Sequence, residues 1–232
     1  MRIPFVPIFV MFLLVLSLAA PGAGQDATQS DSSSSSSSRS KKTAKATATV
    51  SGPEDGGIVG GSYRNKTFAL SCKIPAGWVL RTQEMNARGD DSGTSPAKSS
   101  PQGTQKSTEK GRVLLAAFSR PPEAKGEDVN GSIVIAAEPV AAYPGLTDAV
   151  QYLGPLEEVA KAQGFTADED PYEIAIGPKT VVREDFHKDV GSRVMRQSTM
   201  VFLAHAYAVS ITVIGGTEDE VEELVDGVGF GK

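Results

Sequence analysis

Near the C-terminus two apolar-rich runs, about Arg193–Ala204 and Ala206–Ile214, follow one another with only His205 between them. In the second, Tyr207, Val209, Ile211 and Val213 alternate with Ala208, Ser210 and Thr212, the two-residue period of a strand. These are the longest strand signals in the chain, and they commit it to a sheet. Further strands read from Phe68, Leu70, Cys72 and Ile74, closed by Pro75-Ala76-Gly77; from Val113–Ser119; and from Ser132–Val140 after an Asn130-Gly131 turn. A strand pair follows at Tyr172–Ile176 and Thr180–Phe186.

Two helices interrupt this series. The first is capped at Thr147-Asp148, carries Val150, Leu153, Leu156, Val159 and Ala160, and stops at Gly164. Gly154-Pro155 within it predicts a kink or two short helices. The second begins with a capping box, Thr217-Glu218-Asp219-Glu220, buries Val221, Leu224, Val225 and Val228, and ends at Gly227. Strands in runs, one helix between them and one at the end, describe an α+β fold with an antiparallel β-sheet flanked by helices.

Not all 232 residues enter that fold. Residues 1–24 have the form of a secretory signal peptide: Met1-Arg2, an apolar run over Phe5–Ala20, then small residues to Gly24. The run is too short for a bilayer span, which needs about 20 apolar residues. Residues 25–62, with seven serines at Ser32–Ser38 and glycines around Gly56–Gly61, read as a disordered Ser/Gly-rich tether. Residues 86–111 read as a disordered insertion within a domain over 63–232. Roughly 144 residues remain to fold, enough for one hydrophobic core.

Charge and cysteine content exclude several function classes. A formal charge of −5 lacks the basic excess of a nucleic-acid-binding surface, and one cysteine cannot form an internal disulfide. Cys72 could act as a nucleophile with His187 or His205, but it shares a strand face with Phe68, Leu70 and Ile74 and reads as core. His187 and His205 read as turn or surface residues at strand ends, without a ligand partner at metal-binding spacing. Asp168-Glu169-Asp170 lacks the glycine and twelfth-position Glu of a calcium loop. Ile58-Val59-Gly60-Gly61 and Asp91-Ser92-Gly93 imitate a serine protease, yet no histidine precedes Ser92. Gly227–Lys232 imitates a phosphate loop with no helix after it. Glu218, Asp219, Glu220, Glu222 and Glu223 read as a solvated helix face. Arg88-Gly89-Asp90 spells an adhesion tripeptide in the insertion, and Asn65-Lys66-Thr67 and Asn130-Gly131-Ser132 are glycosylation acceptors. No catalytic, cofactor-binding or metal residue is assigned.

The motif Tyr63…Phe68-x-Leu70…Ile74-Pro75-x-Gly77-Trp78, followed by Ile176–Arg183, the long strand Val194–Ala204, Tyr207–Ile211 and the acidic Thr217–Val225 helix ending in Phe230, resembles the PsbP-like superfamily. That resemblance implies an α/β/α sandwich (PsbP or DcrB-like) used for binding proteins, with no shared catalytic residue. The expectation is an exported, secreted or periplasmic accessory module of the cell envelope, binding an envelope or extracellular protein, without nucleic acid, cofactor or stable membrane insertion. The alternatives are a secreted hydrolase with a site assembled from Ser, Asp and His205, and a surface adhesin using the 86–111 loop.

Overall fold

The computed structural model describes residues 53–91, 110–126 and 128–231. In chain order the strands are Gly57–Val59 (β1), Ser62–Asn65 (β2), Leu70–Lys73 (β3), Val79–Leu80 (β4), Arg112–Phe118 (β5), Ser132–Pro139 (β6), Thr166–Ala167 (β7), Tyr172–Ile176 (β8), Lys179–Val190 (β9), Arg193–Ala204 (β10), Tyr207–Gly215 (β11) and Val228–Phe230 (β12). The helices are Thr82–Asp91 (α1), Ala149–Ala162 (α2) and Glu218–Asp226 (α3). A small sheet has the order β1-β2-β3-β12, and a large one runs β4-β5-β6-β11-β10-β9-β7, with β8 also paired to β9. Every pairing is antiparallel. The expected α+β class with an antiparallel sheet flanked by helices is what the chain adopts.

Alternation along β11 decides the layering. Tyr207, Val209, Ile211 and Val213 join Ile133, Ile135 and Ala137 of β6 and Met200 and Phe202 of β10 on one face. Tyr63, Leu70, Cys72 and Val228 of the small sheet, with Val221, Leu224 and Val225 of α3, cover that face. On the other face Tyr152, Leu153 and Leu156 of α2 pack on Val182, Val201 and Ala208. Met85 of α1 packs on Val113, Ala116, Val134 and Ala136. Each such apolar side chain removed from water contributes roughly 1.5–3 kcal/mol.

Several local expectations change. Pro155 does not divide α2: the helix is continuous, capped by Asp148 and Gln151, and stopped by Gly164 at φ +87. Proline leaves one helical carbonyl without its amide partner, and burial of Leu156, Val159 and Ala160 beyond it offsets that loss. At α3 the Thr217 hydroxyl accepts from the Glu220 amide, but the Glu220 carboxylate accepts from Gly216 rather than Thr217. Val228 belongs to β12, not to the helix stripe.

The ordered fold also starts earlier than 63, and it extends into the stretch read as an insertion. β1 and the first residue of β2 fall within 25–62, while Asn86–Asp91 is the second half of α1. Glycine-rich and polar composition concealed both: β1 is held by its hairpin neighbour β2, and the second half of α1 by Asn86 on Val113, 27 positions on. Residues 1–52, which include the stretch expected to be a signal peptide, and 92–109 lie outside the described residues. Among the described residues no helix is long and apolar enough to cross a membrane.

Two strained features carry measurable consequences. His205 and Ala206 both have positive φ, +52 and +66, in the two-residue turn joining β10 to β11. Left-handed backbone costs a residue with a Cβ roughly 1–2 kcal/mol. Ala206→Gly therefore raises unfolding free energy by about 0.5–1 kcal/mol in denaturant titration.

Glu184 of β9 is 1% exposed beneath α2, and its Oε2 has no hydrogen-bond partner. Burial first, then the charges of Glu157, Asp170 and Asp185, pushes its carboxyl up from 4.5 to about 7, with Lys161 opposing. The folded state thus holds this proton more tightly than the unfolded chain. Glu184 makes no pH-dependent demand below its unfolded value, and stability falls as pH rises through the window from 4.5 to about 7. The loss is of the order of 3 kcal/mol. Glu184→Gln flattens that slope, so thermal melts at pH 5 and pH 8 differ less in the variant than in the wild type.

Candidate functional site

A groove of about 450 Å³ runs between the small sheet and the β4–β5 edge of the large one, lined by Ile58, Tyr63, Leu80, Thr82, Asn86 and Leu114 among others. One wall is the β1–β2 hairpin. Gly60 and Gly61 turn it with φ of +58 and +74, the left-handed pair of a two-residue hairpin turn. Val59 and Ser62 close that turn as a hydrogen-bonded pair, so ladder alternation points the N–H and C=O of Ile58 away from β2. β1 is an edge strand, and this outward edge has no strand partner among the described residues.

The approach to β1 is pinned. Asn65 Nδ2 donates to the Glu54 carbonyl at 2.6 Å, and the Tyr63 hydroxyl donates to the Asp55 carbonyl at 3.0 Å. At Gly56, φ +72, a Cβ would lie 2.6 Å from the Arg64 carbonyl oxygen. Burial pushes the Tyr63 phenol up to about 12.

The opposite wall is finished differently. Thr82 Oγ1 accepts from the Ala116 amide at 2.9 Å. The Asn86 side chain accepts from the Val113 amide at 3.0 Å and donates to the Val113 carbonyl at 2.9 Å. A side-chain amide here takes the place of a peptide group from an absent strand, which seals the β5 edge. A bulge between Val113 and Leu115 shifts the β5–β6 register beside it. Asp55 and Arg112 bridge the groove with a forked ion pair, 2.7 Å at each contact. Ile58 and Leu80, which line it, are 43% and 45% exposed, and Val59 next to Ile58 is 71% exposed.

A second cleft of about 340 Å³ lies at the other end of the large sheet, between β9, β10, the Asp168–Glu169 segment and the start of α3. Arg183 is its fixed point. Its Nε donates to Asp185 at 2.9 Å, and both terminal nitrogens donate to Glu222 of α3, Nη1 at 3.2 Å. Tyr172 donates to the other Asp185 oxygen at 2.5 Å. Burial works against the charge of Arg183, yet the Glu222 and Asp185 carboxylates hold its guanidinium even more basic than usual. Burial and the Asp185 carboxylate keep the Tyr172 phenol protonated.

The residues weighed from sequence are dispersed. Cys72 is fully buried in the core, its thiol pushed up to about 12 by desolvation and hydrogen-bonded only to the Lys73 carbonyl. His187 does not end a strand but lies within β9, paired with Asp168. His205 occupies the β10–β11 turn. Arg88-Gly89-Asp90 is helical rather than looped, because α1 extends through it. Glu222, read as part of a solvated face, holds Arg183. Asp91 is the last residue of α1, and Ser92 lies outside the described residues. Both sequon asparagines are occupied: Asn65 is 2% exposed with its amide fully used, and Asn130 accepts from Ser119 and Arg120 while donating to the Arg120 carbonyl. Among the described residues no group of three acidic, histidine or cysteine side chains is placed to hold a metal. The Arg183 cluster was missed because Tyr172 and Glu222 reach the Arg183–Asp185 pair from 13 and 39 positions away, through strand pairing and helix packing that no local pattern shows.

No family model matches the chain, and no curated protein matches it. Solved structures with a similar trace include LpqN of Mycobacterium tuberculosis, involved in cell envelope biogenesis, at 11% identity over 70% of this chain and 83% of that one, TM-score 0.33. The Ran-binding protein Mog1p of Saccharomyces cerevisiae is similar at 12% identity over 73% of this chain and 94% of that one, TM-score 0.37. At such scores neither family nor function is assigned, and the PsbP-like reading stays a resemblance of sequence pattern.

The burial of Cys72 makes a direct test. A thiol-specific reagent at pH 8 leaves the native protein unmodified over hours and labels it within minutes in guanidinium, as followed by intact mass.

Proposed function

We propose that this chain is an exported, non-enzymatic accessory module of the cell envelope that works through protein–protein contacts. Its docking surface is the groove beside β1, which takes an extended segment of its partner as an added strand. One observation carries this reading: the N–H and C=O of Ile58 point away from β2 on an edge with no strand partner among the described residues, and the side chains of Ile58, Val59 and Leu80 are exposed. Edge strands are ordinarily blunted, and the chain does blunt β5, with Thr82 and Asn86. Leaving β1 open while sealing β5 fits a surface kept for strand addition, where main-chain hydrogen bonds supply affinity and side-chain pockets supply choice.

The export half rests on the leader-like residues 1–24. Absence of a catalytic step is supported by where the reactive side chains sit: Cys72 is in the core, and neither histidine is hydrogen-bonded to it.

Ile58→Lys/Leu80→Lys keeps the melting temperature within about 2 °C, since both side chains are exposed. It abolishes the cross-links that a photoreactive residue placed at Val59 forms in envelope fractions. Equal cross-linking by the parent and the lysine variant removes the groove from consideration. Turnover of broad ester and peptide substrates that is lost in His205→Ala establishes the hydrolase instead.

A further inference from the structure

The outer face of the small sheet carries positive charge in an acidic chain. Tyr63, Leu70 and Cys72 point into the core, so alternation along β2 and β3 turns Ser62, Arg64, Ser71 and Lys73 to the opposite side. Gly57 and Val59 of β1 stand across from Arg64 and Ser62 and share that face. Arg64 and Lys73 are exposed there, and neither has an ion pair among the described residues. Both stand out in a protein whose formal charge is −5.

Gly57 is the second feature. Its backbone is not left-handed, and a Cβ there would meet nothing within 4 Å. Neither conformation nor packing calls for glycine at this position, and glycine weakens a strand unless another group comes close to its backbone. What the missing side chain does provide is room. Arg64 faces Gly57 directly across the ladder, so no side chain stands between Arg64 and the space beyond the outer edge of β1.

We propose that the partner segment added along β1 carries a carboxylate, from aspartate or glutamate, at the residue facing Gly57, and that Arg64 pairs with it across the glycine. The proposal rests on strand addition at β1, the reading above. Ladder geometry sets the arrangement. Val59 and Ser62 are a hydrogen-bonded pair, so the Ile58 N–H and C=O bond the incoming strand while Gly57 lies opposite the next residue along it. A residue facing Gly57 points to the same outer face as Arg64 and lies two strand spacings from it, roughly 10 Å between Cα atoms. The long arginine and a carboxylate side chain close that gap together. The neighbouring residue, facing Ile58, points to the inner side, where Tyr63, Leu80 and Leu114 line the groove, and is apolar. An acidic residue beside an apolar one is therefore the signature of the segment. Lys73 sits on β3, one strand further from the edge, and does not reach it.

The test follows, by fluorescence polarisation with the full chain, the binding of three short synthetic peptides in which valine and threonine alternate. They are identical except for glutamate, glutamine or lysine at one threonine position. The glutamate peptide binds about threefold more tightly than the glutamine peptide, the gain of one exposed ion pair, and the lysine peptide binds most weakly. Arg64→Gln abolishes the difference between glutamate and glutamine without weakening the glutamine peptide, and Arg64→Glu transfers the preference to lysine. Gly57→Val still binds the glutamine peptide but loses the preference for glutamate, with a melting temperature no lower than wild type because its side chain enters open space. Lys73→Gln removes the same charge from the same face and keeps the preference. Equal binding of the glutamate and glutamine peptides by the wild type overturns the proposal. So does a preference that survives Arg64→Gln or Gly57→Val, or one that disappears equally in Lys73→Gln, which means attraction to net charge alone. Failure of strand addition itself reads differently: the wild type then binds none of the three peptides, or binds them no better than Ile58→Lys/Leu80→Lys does.

Discussion

The structure depends on β11 being covered on both faces. Its larger side chains, Tyr207, Val209, Ile211 and Val213, meet the small sheet and α3. Ala208 on the other face is small enough for α2 to approach. A strand buried on both sides cannot slip by one residue, since that would exchange its large and small faces and misfit both layers. Register therefore propagates outward from β11 to β6 and β10, and from these to the strands that carry both clefts.

Polar side chains act at the places where this layering leaves backbone exposed. Asn65, Asn86 and Asn130 each satisfy main-chain groups that have no strand or helix partner, and Asn86 does so along a whole edge position. Such contacts stabilise modestly when made but are costly to leave unmade in a buried setting. β1 differs because, among the described residues, no side chain of this kind covers its outer edge. The two ends of the molecule thus offer different surfaces: an apolar, hydrogen-bonding edge at β1, and a carboxylate-rich cleft around Arg183.

Much of the architecture was legible locally. The alternation in Tyr207–Val213, the cap at Asp148, the stop at Gly164 and the burial of Cys72 all follow from residue type and short-range spacing. Gly60-Gly61 between Ile58-Val59 and Ser62-Tyr63 was a readable hairpin signal, hidden by the glycine and serine around it. β12 was not readable, since three residues after a helix form a strand only because β3 is there to pair with them. The clefts were legible only in part. Acidic residues in α3 and in 168–170 stand out in the sequence, but nothing there links Glu222 to Arg183, 39 positions away.

By itself, the sequence determined the antiparallel α+β class, the central strands, both capped helices and the burial of Cys72, because each depends on side-chain size and polarity repeating over a few residues. Tertiary structure decided where the ordered fold begins, which strand edge stays open, and which charges stay unmatched. Those outcomes depend on pairs of groups distant in the chain and close in space, whose contact is set by sheet order rather than by any local pattern.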